Sequence, residues 1–293
     1  MSTNRAALIN KTHRVLKKHY KPFSPPAERT LFEHVIYGCM LENSSADQAD
    51  QAFAILLQAY YDWNEVRVTS LTELADQFTC LRDPEQAARR LKLALQSLFE
   101  TYYTFNLEEE LKVRNQKNLG AAIKFLEVPG VSDFSVQYAT QHGLGGHAIP
   151  ISKGVLHTAI IIGMSTTSEA SKGRVPGLER TIPKAKGVEF ASLIHQMGAD
   201  YLASPFSTKI RNLLLEIAPD CKERMPKRET KKATKPVEKK EEPKAPKKKT
   251  TAQKNASSTT AGKKEAQKTS KPATKKAATK KSPSKKLTKK KPK

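Results

Sequence analysis

Apolar residues recur every three to four positions through most of the first 225 residues, the spacing of one helical face. In "SSADQADQAFAILLQAYY", Ser45 and Gln48 stand as a capping box ahead of Ala52, Ile55, Leu56 and Ala59. "SLTELADQF" repeats the device with Ser70 and Glu73. In "DPEQAARRLKLALQSLFETYY", Asp83 caps, Pro84 suits the first helical turn, and Ala88, Leu91, Leu95, Leu98 and Tyr102 share one face. "GVEFASLIHQMGADYL" places Phe190, Leu193, Ile194 and Met197 in the same way. Strand-type alternation is nearly absent. The run Ala159 to Ile162 has strand character, but Val155, Leu156 and Ala159 favour a buried helix. Residues 165 to 187 are rich in Ser, Thr, Gly and Pro and predict a loop between helical blocks. The pattern predicts an all-α body.

Between two helical segments, Leu119 to Glu127 and Ser132 to His142, lies the turn Val128, Pro129, Gly130, Val131. A tight turn of this kind presents backbone N–H groups at the start of the second helix. Those groups and the helix dipole favour a phosphate. Taken alone, the tetrapeptide reads more simply as an ordinary Pro-Gly connection between helices.

The pattern ends at Met225. Residues 226–293 carry 26 Lys+Arg and five Glu, so +21 of the chain's +23 sits there, and residues 1–225 carry only +2. That segment has no aromatic residue and scarcely any large aliphatic one, so it is expected to be disordered. Two domains are expected: a helical body, 1–225, and a basic tail, 226–293. A flexible polycation displaces counterions from phosphates and binds nucleic acid without sequence preference. Without aromatics the tail lacks a stacking platform for single strands. Duplex DNA is its expected partner, and RNA is a further acidic polymer it would hold. Cys39, Cys80 and Cys221 show no metal-type spacing, and no apolar run reaches membrane-spanning length. A reduced, soluble, cytoplasmic setting is expected, beside a nucleoid or, in a eukaryote, in the nucleus.

The ordered set "CMLENSSADQADQAFAIL", "EVPGVSDFSV" and, about twenty residues on, "IPISKGVL" resembles the helix-hairpin-helix DNA glycosylases, in particular the endonuclease III branch. The resemblance spans roughly Pro26 to Lys222. It implies a two-lobed helical fold and a hairpin that grips duplex DNA through Val128, Pro129, Gly130, Val131 and Ser132, with Lys153 close to phosphate. The tail resembles linker-histone tails, and Ser282 to Lys286 is similar to a repeat found there, which adds Lys285 and Lys286 as DNA contacts.

Base excision needs a pocket for the extruded base and a carboxylate to stabilise the developing positive charge on the sugar. Enzymes that also cut the strand add a lysine amine. The resemblance puts that lysine at Phe134 and the aspartate at Ser152, so both groups are missing. Asp133 and Lys153 stand one residue away, and one residue turns a helical side chain by about 100°. Asp133 reads more simply as a carboxylate complementing the helix dipole. Many relatives hold an iron–sulfur cluster on four cysteines. The matching positions are Leu202, Lys209, Asn212 and Cys221, so one thiol remains and no cofactor is expected. His142, His147, His157 and His195 form no metal set with Asp, Glu or Cys. Trp63, beside two tyrosines, reads as core packing before base stacking.

These readings converge on a DNA-binding protein without catalysis. Two alternatives stand beside it. One is a monofunctional glycosylase using a displaced carboxylate such as Asp133. The other is a helical protein-interaction module carrying a nonspecific tail.

Overall fold

Side-chain caps start most helices, and the loops are short. The computed structural model of the chain describes residues 2–26 and 28–227, with side chains from Arg5 onward. The tail expectation, Lys285 and Lys286 included, lies outside the described residues save Pro226 and Lys227. The helices are α1 (Ser2–His19), α2 (Leu31–Leu41), α3 (Ala46–Ala59), α4 (Trp63–Val68), α5 (Leu71–Gln77), α6 (Pro84–Tyr102) and α7 (Leu107–Val113). They continue as α8 (Leu119–Leu126), α9 (Asp133–His142), α10 (Lys153–Ile162), α11 (Thr167–Ala170), α12 (Leu178–Thr181), α13 (Lys184–Ala203) and α14 (Thr208–Ile217). A 3₁₀ turn, Pro219–Glu223, closes the series, and no strand occurs among the described residues.

The start signals act as their chemistry requires. Ser45 caps α3 and Gln48 returns the bond, completing the box. Asp83 caps α6, with Pro84 in its first turn. Ser70 accepts from the Glu73 N–H, which is half of the reciprocal pair expected there. Each such cap contributes about 1 kcal/mol. The segment 165–187 departs from the expected loop: α11 and α12 form within it, and α13 begins at Lys184. Thr166 and Glu169 make a capping box that starts α11, and Leu178 is buried, so α12 has an apolar anchor.

Two cores form. The first gathers apolar side chains from α2 to α9, including Phe32, Tyr37, Leu56, Phe78, Leu91, Leu95 and Leu98. Burying each aliphatic one contributes about 1.5–3 kcal/mol. Trp63 packs here, half-buried and edge-on to Phe32 with ring centroids 5.3 Å apart. The second core joins α1 to α10–α14 through Ile9, Leu16, Val155, Phe190, Leu193, Met197 and Leu214. The described residues therefore begin and end in one lobe and build the other in between.

Close backbone approach sets the second lobe. A Cβ on Gly154 would stand 2.2 Å from the Gly198 carbonyl oxygen, so α10 and α13 cross where neither carries a side chain. The segment between α1 and α2 is strapped to α13. The Phe23 N–H donates to Ser192 Oγ at 2.7 Å, and Gln196 Nε2 donates to the Lys21 carbonyl at 2.8 Å.

Candidate functional site

The hairpin forms between α8 and α9. The Val131 N–H donates to the Val128 carbonyl at 3.0 Å, closing a four-residue turn whose centre is Pro129 and Gly130. Gly130 has φ +99°, which favours glycine. A Cβ there would also lie 2.5 Å from Ser97 Oγ and 3.0 Å from the Leu93 carbonyl of α6. The turn is thus seated on α6. Val128 is buried beneath it, while Pro129 and Gly130 face outward. Ser132 is the N-cap of α9, its hydroxyl accepting from the Ser135 N–H at 3.2 Å. The first N–H groups of α9 have no acceptor within the helix and point past the turn. Asp133 is exposed at the head of that helix, where its charge suits the dipole and opposes an incoming phosphate.

Phe134 lies 3 % exposed between the lobes. Its ring sits 6.4 Å from Tyr138 and 5.5 Å from His195, a residue of α13 in the other lobe. The space left among Phe23, Phe134, Tyr138, Pro150 and His195 is about 10 Å³. That admits at most one water, and a base needs far more. Two side chains that border the gap, Gln141 and His195, each keep one buried polar atom, Oε1 and Nδ1, without a hydrogen bond among the described residues.

The histidines around this gap are held neutral. Burial lowers His195 to about 4, and its Nε2 donates to the Ser44 carbonyl at 2.9 Å. His142 is also lowered to about 4, first by burial and then by the neighbouring charges of His34 and Arg29. His34, whose ring centroid lies 5.8 Å from that of His142, follows with burial as the leading cause.

Ser152 is the N-cap of α10, 1 % exposed, and accepts from the Val155 N–H at 3.4 Å. Its hydroxyl serves the backbone. Lys153 is exposed at the first position of α10, and its backbone N–H donates to Asn43 Oδ1 at 3.0 Å. It borders a groove of about 360 Å³ with Asn43, Arg82, Arg90 and Leu202. Arg90 is committed inward, to the carbonyls of Cys39 and Glu42. Arg82 and Lys153 are the cations that remain at this groove. Arg82 lies outside every helical pattern and motif of the sequence, and Asn43 lies within the quoted segment that starts at Cys39 with nothing local to single it out. Asn43 betrays itself only in three dimensions, by a φ of +69°.

Leu202 packs against the second core, and Lys209 pairs with Asp200 at 2.9 Å. Asn212 is exposed, and Cys221 is buried among apolar side chains with its thiol pushed up by desolvation. Among the described residues, no three His, Cys, Asp or Glu side chains are placed to hold a metal. No helix among them is long and apolar enough to cross a membrane. His147 Nε2 donates to the Glu179 carbonyl, 2.9 Å away, and His157 lies edge-on to Tyr201.

This two-lobed arrangement has counterparts among solved structures. A trapped endonuclease III–DNA covalent intermediate superposes with a TM-score of 0.50 at 14 % identity, over 77 % of this chain and 99 % of that one. The body has the endonuclease III fold. A non-covalent endonuclease III–DNA complex gives 0.49 at 16 % identity, over 73 % and 94 % of the two chains. A thermostable thymine-DNA glycosylase gives 0.45 at 16 %, over 71 % and 91 %. No protein-family model and no curated protein sequence matches the chain. Within this endonuclease III-like fold, the hairpin of Val128 to Ser132 and the gap filled by Phe134 stand together at the start of α9.

Proposed function

We propose that this protein binds duplex DNA and does not excise bases. The single observation that carries the reading is Phe134. Its ring occupies the interlobe gap at the position the resemblance gives to the catalytic lysine, and it leaves about 10 Å³. Ser152, at the aspartate position, is buried and spent on capping α10. Asp133, the displaced carboxylate of the enzymatic alternative, is exposed and does not border the gap. Binding is assigned to the hairpin from Val128 to Ser132, to Lys153 with Arg82, and to the tail, with Lys285 and Lys286 among its contacts. The trapped endonuclease III counterpart was captured on DNA, which favours the same partner here. The tail would hold RNA by the same counterion release. No iron–sulfur cluster is assigned, since three of its four positions carry no thiol. A nucleoid or nuclear setting follows from the partner.

Duplexes carrying oxidised, alkylated, deaminated and abasic sites test the catalytic half. The full chain is expected to release no base and nick no strand; release from any of them overturns the silent reading. The binding half is tested with residues 1–227. Arg82→Glu with Lys153→Glu should weaken duplex affinity about tenfold or more, since each removed phosphate contact lowers both affinity and salt slope. Unchanged affinity would remove the groove from the interface.

A further inference from the structure

A second cavity of the body lies away from Phe134. It is an open groove of about 940 Å³, at the upper end of the range for ligand sites. The extended segment 149–151 separates the two spaces: Ile149 and Ile151 border the groove, and Pro150 borders the interlobe gap. The floor is aliphatic, from Ile9, Ile149, Val175 and Leu178, all at most 6 % exposed. Three arginines border it, Arg5, Arg174 and Arg180, against one carboxylate, Glu179.

The groove is built. Arg5 is fixed by two bonds to Glu169, at 3.1 and 3.0 Å. The loop that forms one wall is pinned at the Arg174 carbonyl by Ser165 Oγ, 3.2 Å, and at the Glu179 carbonyl by His147. Arg174 and Arg180 are exposed and form no ion pair among the described residues. The wall formed by α9 contributes Gln137, whose Oε1 is shielded from solvent and has no hydrogen-bond partner.

We propose that this groove docks an acidic peptide segment of another protein, with aliphatic side chains on the floor and carboxylates on Arg174 and Arg180. Guanidinium forks match carboxylates in two-bond geometry. Nucleic acid fits less well. No aromatic side chain borders the groove, so a base has nothing to stack on. The chain's own tail is excluded by its charge of +21. The proposal is independent of the DNA contacts, and it gives a DNA-bound body a means to recruit a partner.

The test is a random peptide library selected on the full-length chain and counter-selected on the full-length R174E/R180E variant. Both proteins carry the same tail, so the difference reads the groove alone. Both arginines are exposed and hold no side-chain bond, so the exchange leaves the cores untouched. Recovered peptides are expected to combine carboxylates with neighbouring aliphatic residues and to bind the native chain about tenfold or more tightly than the variant. Peptides that bind both proteins equally, or that lack carboxylates, overturn the proposal. So does an oligothymidylate that loses the same factor on the variant, which would assign the groove to nucleic acid.

Discussion

Gly130 and Phe134 stand four residues apart and do opposite work. Gly130 keeps the hairpin close to α6; Phe134 keeps the lobes closed. Gly130→Ala meets both an unfavourable φ and the Ser97 hydroxyl, so it should destabilise the body by about 1–3 kcal/mol in urea denaturation. Adding Ser97→Ala should recover only the steric part, because the backbone conformation is unchanged. Full recovery would show that φ costs nothing there. Phe134→Ala should cost about 3–5 kcal/mol, the range for a buried aromatic whose site collapses only partly. The same variant opens space without supplying an amine or a carboxylate, so it should gain no lyase activity.

Three histidines give a pH dependence at the same scale. His34, His142 and His195 are each lowered to about 4, below an ordinary value of 6.5. The unfolded chain therefore takes up protons first as pH falls. Stability is fully present above about 6.5 and is lost progressively as pH falls towards 4. Urea midpoints at pH 7.5 and 5 check this, and equal midpoints would contradict the buried, neutral state of these rings.

At the scale of elements, the helix pairs divide into those joined by side chains and those joined by backbone. The contact of α10 with α13 is of the second kind. Gly154→Ala places a methyl against a carbonyl of the partner helix, so it should cost about 3 kcal/mol, the upper end for overpacking. A thermal melt that did not move would mean the helices can separate freely. The first helix is a second case. Ile9 and Leu16 are fully buried in the core shared with α13 and α14. Leu16→Ala should cost about 2–5 kcal/mol. Much of this level was legible in the sequence. The capping boxes, Pro84, and the apolar faces of α3, α6 and α13 follow from local chemistry, because a helix satisfies its backbone within itself. The pieces that were not legible depend on distant partners. Nothing local in Gly154 or Gly198 says that they meet. The short helices α11 and α12 sit in a stretch whose composition favours a loop, and a buried Leu178 outweighs it.

At the scale of the whole molecule, charge is divided between two parts of the sequence. The body carries +2 and residues 226–293 carry +21. Removing residues 228–293 should therefore flatten the salt dependence of DNA binding, because fewer counterions are released. An unchanged slope would place the phosphate contacts in the body.

The sequence by itself determined the helical class, the position of the hairpin turn and the charge division. Each of these is a property of residue type and short-range spacing. Only the tertiary structure decided that α1 closes the second lobe, that Arg82 and Asn43 join Lys153, and that Phe134 meets His195 across the gap. It alone also set the arginine-edged groove over Ile9, Ile149, Val175 and Leu178. Those outcomes join residues far apart in the chain, and packing two lobes against each other fixes them where no local signal can.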